Sequence, residues 1–193
     1  MKSARGRLRI IGGRWRGRRI RFPEVPGLRP TPDRVRETLF NWLAPWLDGA
    51  RVLDLFAGSG ILAFEALSRG AARAVLVESD RQIAGSLRET AAGLAGADVE
   101  IRACDAMAFL RSPGQGAFDL VFLDPPYAFD DHEALCRAVD DSSVLGPDAL
   151  VYLELSTRRA GTFGAPASWE SYRSARAGQV HYQLWRRSGR AAH

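Results

Sequence analysis

The feature that most constrains this fold is a regular alternation of short apolar runs with helical stretches, beginning at Arg51. Apolar runs of strand length are typical of buried strands, and apolar residues at helical spacing are typical of helices packed on a sheet. Repeated strand–helix units predict a doubly wound α/β fold with a mostly parallel sheet. The predicted strands are 52–55, 74–77, 99–103, 118–123 and 149–155, and the predicted helices are 61–68, 80–94, a short one from Asp105 and one near 131–139.

Two more strands, 169–176 and 179–186, follow each other closely and are predicted to pair antiparallel at one edge of the sheet. With them the sheet has seven strands. Parallel sheets of this kind bind ligands at the carboxyl ends of their strands, so polar residues that follow the apolar runs are the candidate site residues.

Asp124-Pro125-Pro126-Tyr127 directly follows one of these apolar runs, 120–123. Two consecutive prolines restrict the backbone and remove two N–H donors, which leaves a stiff turn with free carbonyl oxygens. An acidic acceptor, free carbonyls and an aromatic face suit a planar ring that bears an amino group. The alternative is an ordinary turn that ends a strand, since aspartate and proline are common in turns.

A glycine-containing turn, Asp54-Leu55-Phe56-Ala57-Gly58-Ser59-Gly60, joins the first strand of the alternating region to its helix. Glycines let the backbone approach a ligand, and the helix N-terminus offers unpaired N–H groups. Gly58-x-Gly60-x-x-Ala63, with Glu78 further along, matches a dinucleotide fingerprint, so NAD is one candidate cofactor.

Acidic residues near the ends of successive strands favour S-adenosylmethionine over NAD. Asp54 would repel a diphosphate, whereas it would attract the positive charges of a methionine sulfonium and ammonium. Glu78 can accept hydrogen bonds from ribose hydroxyls, and Asp105-Ala106 offers a contact for an adenine amino group. The alternative for Asp54 and Asp105 is a helix-capping role.

The composition excludes several classes of protein. Hydrophobic residues make up 46% of the 193 residues, which is enough for a sizeable core, and no apolar run approaches the length of a membrane span. Cys104 and Cys136 lack the spacing of a metal or redox site, so we expect no bound metal and a reducing, cytoplasmic location. We expect a monomer.

Positive charge is concentrated in the first 36 residues, which hold 12 of the 27 basic residues and two of the 22 acidic ones. This leader carries a net charge of +10 and the remainder −5, a pattern typical of a polyanion-binding arm. Apolar residues and arginines alternate over 8–22 on both sides of Gly12-Gly13, which predicts a β-hairpin with one basic face. A helix is predicted after the connector 24–30, with Thr31 as N-cap and Pro32 as its first residue.

The motifs together resemble the 16S ribosomal RNA guanine-N2 methyltransferase family. The resemblance spans nearly the whole chain, and its most specific segments are 10–18 and 27–43 in the leader. Further matching segments are 54–60, 65–70, Asp80-Arg81 and 124–127, and Pro32 stands where the family pattern would have a small polar residue. The resemblance implies a class I methyltransferase, Rossmann-like fold in residues 31–188, with residues 1–30 as a basic RNA-binding hairpin extension.

The resemblance also implies roles for particular residues. The catalytic residues would be Asp124, Pro125, Pro126 and Tyr127. The residues that bind S-adenosylmethionine, which leaves as S-adenosylhomocysteine, would be Asp54, Phe56, Ala57, Gly58, Gly60, Glu78, Ser79, Asp80, Asp105 and Ala106. The RNA-binding residues would be Arg14, Trp15, Arg16, Arg18, Arg19, Arg34 and Arg36.

Some alternatives stay open at this point. The expected substrate is a guanine N2 of 16S rRNA, within an assembling 30S subunit. The other interpretations are a DNA or protein amide-nitrogen methyltransferase and a non-enzymatic RNA-binding assembly module. Trp15 could stack on a base or anchor the hairpin, and Arg34 and Arg36 could instead form a solvated helix face.

Overall fold

The structure is a computed structural model, and it describes residues 5–23, 31–126 and 129–188. Two strands, β1 (Arg5–Arg9) and β2 (Arg19–Pro23), form an antiparallel hairpin apart from the main sheet. The main sheet contains β3 (Arg51–Asp54), β4 (Arg73–Val77), β5 (Val99–Arg102), β6 (Phe118–Leu123), β7 (Leu145–Ser156), β8 (Trp169–Ala177) and β9 (Val180–Arg187). Its strand order is β5-β4-β3-β6-β7-β9-β8.

Strands β3 to β7 run parallel to one another, and only β8 and β9 are antiparallel to their neighbours. The helices are α1 (Asp33–Leu43), α2 (Ile61–Ser68), α3 (Arg81–Ala92), α4 (Ala106–Arg111), α5 (His132–Asp141) and α6 (Thr157–Ala160). The predicted doubly wound, mostly parallel seven-stranded sheet is confirmed.

Alternate residues of each central strand enter the cores on opposite faces of the sheet. Val52 and Phe122 pack with residues of α1, α2 and α3, whereas Leu53 and Val121 pack with residues of α4 and α5. A sheet covered on both faces explains why its strands are continuous apolar runs in the sequence.

Helices α3, α4 and α5 each begin one residue later than predicted, and the reason is the same for all three. Asp80, Asp105 and Asp131 each lie just before a helix, where the side chain accepts hydrogen bonds from amides of the first turn. These amides have no partner within the helix, so an aspartate at the N-cap satisfies them. Asp105 therefore caps α4, whereas Asp54 caps no described helix because the N-cap residue of α2 is Gly60.

The predicted N-cap role of Thr31 is wrong, and so is the helical position of Pro32. Helix α1 begins at Asp33 with Pro32 as its N-cap residue, and Thr31 makes no capping bond. The Thr31 hydroxyl instead donates to Asp124 Oδ2 at 3.2 Å, because the chain enters α1 across the end of β6.

The hairpin predicted on both sides of Gly12-Gly13 is present, and these glycines lie within the connection between its two strands. Residues 10–18 form a longer loop that contains a short 3-10 helix, Gly13–Trp15, and is closed at its neck by Ile10 N–H donating to Arg18 O at 2.9 Å. Gly13 has φ of +74°, and a Cβ there would lie 1.8 Å from the Ser68 carbonyl oxygen, so close packing on α2 explains this glycine.

The sequence prediction did not include α6, and it made β7 shorter than the strand that the structure contains. None of the helices in the described ranges combines the length and the apolar character that crossing a bilayer requires.

Candidate active site

The candidate site lies at the carboxyl edge of the parallel sheet. Asp54 is the last residue of β3, Glu78 directly follows β4, and Asp124 directly follows β6. Since β3 is hydrogen-bonded to β4 on one side and to β6 on the other, these three carboxyl groups come from adjacent strands. Asp105 lies farther along the same edge, beyond β5.

The glycine turn after β3 is shaped by backbone hydrogen bonds and by positive φ angles. Ala57 N–H donates to Val77 O at 3.0 Å, which fixes the turn to the end of β4. Gly58 and Gly60 have φ of +50° and +72°. A Cβ at Gly60 would lie 2.6 Å from the Leu87 side chain, so glycine is required there both by conformation and by space.

The Glu78 carboxylate holds this turn in place. One oxygen accepts from Gly58 N–H and the other from Asp80 N–H, both at 2.9 Å. A carboxylate has about four acceptor sites, so these two bonds leave capacity for hydroxyl donors of a ligand. Ser79 and Asp80 are exposed beside it.

Asp54 is buried and lacks a cationic partner among the described residues, where no Lys, Arg or His forms an ion pair with it. Burial raises the pKa of Asp54 to about 7, hydrogen bonding from the Phe56 backbone offsets part of that rise, and the nearby Glu78 charge adds to it. A ligand with positive charge beside Asp54 would favour its ionised form.

Asp124-Pro125-Pro126 begins a second turn, after β6. Pro125 is buried and Pro126 is exposed, and the Pro126 carbonyl accepts from Phe129 N–H at 2.7 Å. The Phe129 ring packs edge to face against Phe56 with centroids 5.8 Å apart, so this turn contacts the glycine turn. Tyr127 lies outside the described residues.

Asp124 is surrounded by other acidic groups. Burial, followed by the charges of Glu154 and Asp54, raises the pKa of Asp124 well above its ordinary value, and the hydrogen bond from Thr31 opposes that rise. Glu154 lies on β7, next to β6, where its Oε1 accepts from the Tyr152 hydroxyl at 2.6 Å. Burial raises the pKa of Glu154 as well.

The basic surface lies on the N-terminal hairpin. Arg7 pairs with Arg21 and Arg9 with Arg19 across the two strands, and all four are exposed on one face, whereas Ile20 is buried on the other. We refer to Arg7, Arg9, Arg19 and Arg21 as the arginine face. Its predicted alternation of basic and apolar residues is confirmed.

A groove of about 540 Å³ lies between β2 and α3. Its walls include Arg18, Arg19, Arg21, Ser86 and Glu89, and Arg18 donates to the carbonyl of Gly93 beyond the end of α3. Glu78 and Asp80 precede the opposite end of α3. The groove is therefore separate from the carboxyl groups of the candidate site.

Comparison with known proteins gives the chain a family. Residues 8–186 match the family described as "Conserved hypothetical protein 95". The chain belongs to this family. Within it, the chain is 45% identical over 185 residues to "Ribosomal RNA small subunit methyltransferase D" of Escherichia coli K12, covering 96% of this chain and 92% of that protein. The Haemophilus influenzae protein of the same name is 40% identical, with 95% of each chain covered.

Solved structures agree with this family assignment. The Escherichia coli protein yhhF superposes with a TM-score of 0.86 at 42% identity, covering 95% of this chain and 99% of that one. The Haemophilus influenzae protein HI0767 gives a TM-score of 0.80 at 36% identity, with the same two shares covered. The chain is an enzyme, an S-adenosylmethionine-dependent methyltransferase, so the NAD alternative and the non-enzymatic alternative fall away.

Two residues of the predicted RNA-binding set need correction. The Arg36 side chain is fully buried, where it pairs with Glu65 and Asp33, so it is neither a solvated helix face nor available to a phosphate. Trp15 is only 7% exposed and packs in the core beside α2, which supports the anchoring role over base stacking. Arg14, Arg16, Arg18, Arg19 and Arg34 are exposed.

The structure adds residues that the sequence prediction missed. Arg9 and Arg21 lie within the predicted alternation of 8–22 and Arg7 lies just before it. The predicted RNA-binding set does not include these three residues, although residues two apart in a strand lie on the same face. Phe129 follows Asp124-Pro125-Pro126 closely in the sequence, and this proximity could have placed it among the predicted site residues. Glu154 gave a weaker signal, a lone carboxyl in the buried run of β7.

Proposed function

We propose that this family member transfers a methyl group from S-adenosylmethionine to the exocyclic N2 of a guanine in small-subunit ribosomal RNA. The observation that carries the proposal is the Asp124-Pro125-Pro126 turn, which contacts the glycine turn through Phe129 and Phe56 and whose carboxyl is held by Thr31. Its relatives are named as methyltransferases of this RNA, which supports the substrate.

The residues at the strand ends fit S-adenosylmethionine. Asp54 offers a buried carboxyl without a cationic partner among the described residues, Glu78 keeps free acceptor sites, and Gly58 and Gly60 give the turn its positive φ angles. The bound cofactor supplies an electrophilic methyl group on a positive sulfur. The residues proposed to hold it are Asp54, Phe56, Ala57, Gly58, Gly60, Glu78, Ser79, Asp80, Asp105 and Ala106.

The turn that begins with Asp124-Pro125-Pro126 would orient the guanine amine. Its nitrogen lone pair is delocalised into the ring, so the amine is a poor nucleophile unless its N–H groups are held by acceptors. Asp124 and the carbonyl of Pro125 would accept these N–H bonds and direct the lone pair, while Pro126 stiffens the turn and Tyr127 stacks on the base. Such orientation can contribute about 7 kcal/mol or more to lowering the barrier.

The hairpin would supply affinity for RNA that does not depend on sequence. Like charges directly opposite each other on a hairpin are destabilising. The arginine face is therefore suited to bind a polyanion, whose negative phosphates would offset the repulsion between the paired arginines. Each neutralised phosphate contributes about 0.7–0.9 to the slope of log affinity against log salt. Residues 1–30 would act as the RNA-binding extension of a methyltransferase unit formed by 31–188, and the exposed Arg14, Arg16, Arg18 and Arg34 would extend the contact.

The proposed substrate is RNA in which the guanine can leave its stack. The guanine must leave its stack to reach Asp124, at a cost of a few kcal/mol that is smallest in single-stranded RNA. The hairpin is too small to specify one guanine by itself, so we infer that the substrate is RNA within an assembling 30S subunit. The enzyme would act there as a cytoplasmic monomer.

The test is transfer of tritiated methyl from S-adenosylmethionine to unmodified small subunits, followed by nucleoside analysis. We expect label in N2-methylguanosine, its loss in Asp124→Asn, and its retention in the control Asp141→Asn, whose carboxyl is exposed at the far end of α5. Label in another nucleoside, or only in DNA or protein acceptors, would refute the proposed substrate.

A further inference from the structure

The groove between β2 and α3 contains groups that the function described so far does not use. Its volume of about 540 Å³ lies within the range of roughly 300–1,000 Å³ that is typical of ligand sites. The apolar part of its lining comes from Ile20 and Leu94, both of which are buried. The polar part combines positive, negative and hydroxyl groups, which are Arg18, Arg19, Arg21, Glu89, Ser86 and Thr90.

The two walls of the groove are joined to each other by hydrogen bonds. Ser86 Oγ of α3 donates to the carbonyl oxygen of Arg21 in β2 at 3.2 Å. Arg18, which precedes β2, donates to the carbonyl of Gly93, which follows α3. The protein itself therefore sets the width of the groove.

Three charged side chains of the groove are available to a ligand. Arg19, Arg21 and Glu89 are exposed, and within the described ranges none of their charged groups forms an ion pair. The arginines lie on β2 and Glu89 lies on α3, so the positive and the negative group line opposite walls. The hydroxyl of Thr90 lies beside Glu89 on the acidic wall.

A positive wall opposite an acidic wall disfavours a ligand that is negative throughout. A run of phosphates alone would be repelled by Glu89, whose carboxylate only accepts hydrogen bonds. A nucleotide fits better, because its phosphate is negative whereas the edge of its base carries N–H donors. Arginine binds phosphate oxygens, and carboxylates accept hydrogen bonds from the amino group of a base such as cytosine.

We propose that this groove is a second RNA-binding site, which holds one unpaired nucleotide whose base carries an amino group. The phosphate lies against Arg19 and Arg21, the base covers Ile20 and Leu94, and the amino group donates to Glu89. This role rests on the proposed function, in which the protein acts on ribosomal RNA. It adds selectivity for a base other than the guanine that is methylated.

The pairing of Glu89 with Thr90 distinguishes the bases from one another. Cytosine and adenine each have an amino group next to a ring nitrogen that accepts, and guanine has two neighbouring N–H donors next to a carbonyl. A carboxylate beside a hydroxyl matches all three edges. Uracil has a single N–H between two carbonyls, so one of its oxygens would meet the carboxylate with no hydrogen between them. The groove should therefore disfavour uracil.

Helix α3 connects the groove to the candidate active site. The side chain of Leu87 lies against Gly60 of the glycine turn, and Ser86 beside it lines the groove. A rise of 1.5 Å per residue places Glu89 about 14 Å along the helix from Asp80. The RNA strand that carries the methylated guanine can thus reach the groove, and a base held there would fix that strand relative to Asp124.

The first test compares the binding of single-stranded hexacytidylate and hexauridylate to the full chain by fluorescence anisotropy. We expect the wild type to bind hexacytidylate about fivefold or more tightly, the discrimination that a well-paired side chain and base edge provide. Glu89→Gln should abolish this preference, because an amide can also donate to a uracil carbonyl. Glu170→Gln on β8 removes the same charge from an exposed position and should keep the preference.

Asp124→Asn separates the groove from the active site, where the amino group of cytosine would also find an acceptor. The preference for hexacytidylate should persist in this variant. Its loss in Asp124→Asn together with its retention in Glu89→Gln would overturn the proposal, and so would equal affinities of the wild type for the two oligonucleotides. Because this measurement involves no methyl transfer, its failure is distinct from failure of the proposed function, which the nucleoside analysis tests.

The second test fills the groove with Thr90→Trp, whose ring would occupy the place of the base. We expect the preference for hexacytidylate to vanish and KM for small subunits to rise about tenfold with kcat unchanged, since only binding is lost. Ser174→Trp on β8 is the control and should change neither, and thermal melts establish that both variants are folded. A rise in KM with the oligonucleotide preference intact would mean that the groove contacts a ribosomal protein, which would overturn the assignment to a nucleotide.

Discussion

Asp54 illustrates how a buried acidic residue of the candidate site lowers folding stability at neutral pH. Its carboxyl is 2% exposed, and burial raises its pKa to about 7 from the 3.8 of a free aspartate. Since the raised pKa means that the folded protein favours the protonated form, folding stability is highest below the unfolded pKa. It falls as the pH rises from the unfolded pKa through the folded pKa, and it levels off above that value.

The fall of folding stability with rising pH should be smaller in Asp54→Asn, because asparagine does not ionise. Between pH 5 and pH 8 the wild type should lose about 2–3 kcal/mol of unfolding free energy through Asp54 alone, and the variant should lack that portion. The asparagine protein should therefore be the more stable one at pH 8 while failing to bind S-adenosylmethionine. Urea unfolding at several pH values, with calorimetry for binding, checks both; a parallel fall in stability would contradict the assignment.

Gly60 is a second residue whose identity is set by its surroundings. Gly60→Ala places a Cβ at φ of +72° against Leu87 and Phe64, and we expect a loss of about 2 kcal/mol or more of unfolding free energy. Gly85→Ala is the matched control, because Gly85 lies inside α3 with open space around its Cα and should gain about 0.5–1 kcal/mol. Equal effects of the two substitutions in urea unfolding would be incompatible with this account.

At the scale of elements, a buried ion pair network attaches the hairpin loop to α2. The Glu65 carboxylate accepts from Ile11 N–H at 2.9 Å and from Gly12 N–H at 2.8 Å, and it pairs with Arg36 of α1 and with Arg69. Arg36 also donates to the carbonyl of Arg9 in β1. One carboxylate thus joins three elements that are distant in sequence.

Breaking this network should destabilise the whole fold. Arg36→Met leaves Glu65 with one cationic partner fewer in a buried place, and we expect a loss of about 3 kcal/mol of unfolding free energy. Arg34→Met on the exposed side of the same helix should change it by less than about 0.5 kcal/mol. Denaturant unfolding compares them, and a similar loss in both would disprove the special role of the buried arginine.

Local patterns predicted the elements of this chain far better than the contacts between them. The boundaries of α2 and β6 and the positions of Asp54 and Asp124 follow from periodicity and strand ends, which are short-range properties. The burial of Arg36 depends on Glu65, which lies on another element, and the position of Thr31 depends on Asp124. Glu65 is too far from Arg36 in the sequence, and Asp124 too far from Thr31, for the spacing pattern of a single helix to reveal these contacts.

At the scale of the whole molecule, the excess of positive charge is concentrated in the first 36 residues, which hold 12 basic residues and two acidic ones. The double variant Arg7→Gln with Arg21→Gln should reduce the salt slope of RNA binding by about 1.4–1.8, because each phosphate that is no longer neutralised lowers the slope by about 0.7–0.9. Affinity for S-adenosylmethionine should not change, because the arginine face lies on the separate hairpin.

The control for this prediction is a pair of exposed arginines elsewhere, Arg173→Gln with Arg176→Gln on β8. They lie on β8, the edge strand at the opposite end of the main sheet from β4 and β5. A salt slope lowered equally by both double variants would mean that RNA binds to the protein without regard to the hairpin.

The insertion of β9 between β7 and β8 affects the order in which the strands of the sheet can pair while the ribosome makes the protein. β9 is synthesised after β8, yet it pairs with β7 along the segment that contains Glu154, with Tyr182 opposite that residue. Until residues 180–187 have emerged, β7 has an unpaired edge and Glu154 lacks its neighbour. The nascent chain therefore lacks the strand beside Glu154 until β9 has followed β8 out of the ribosome.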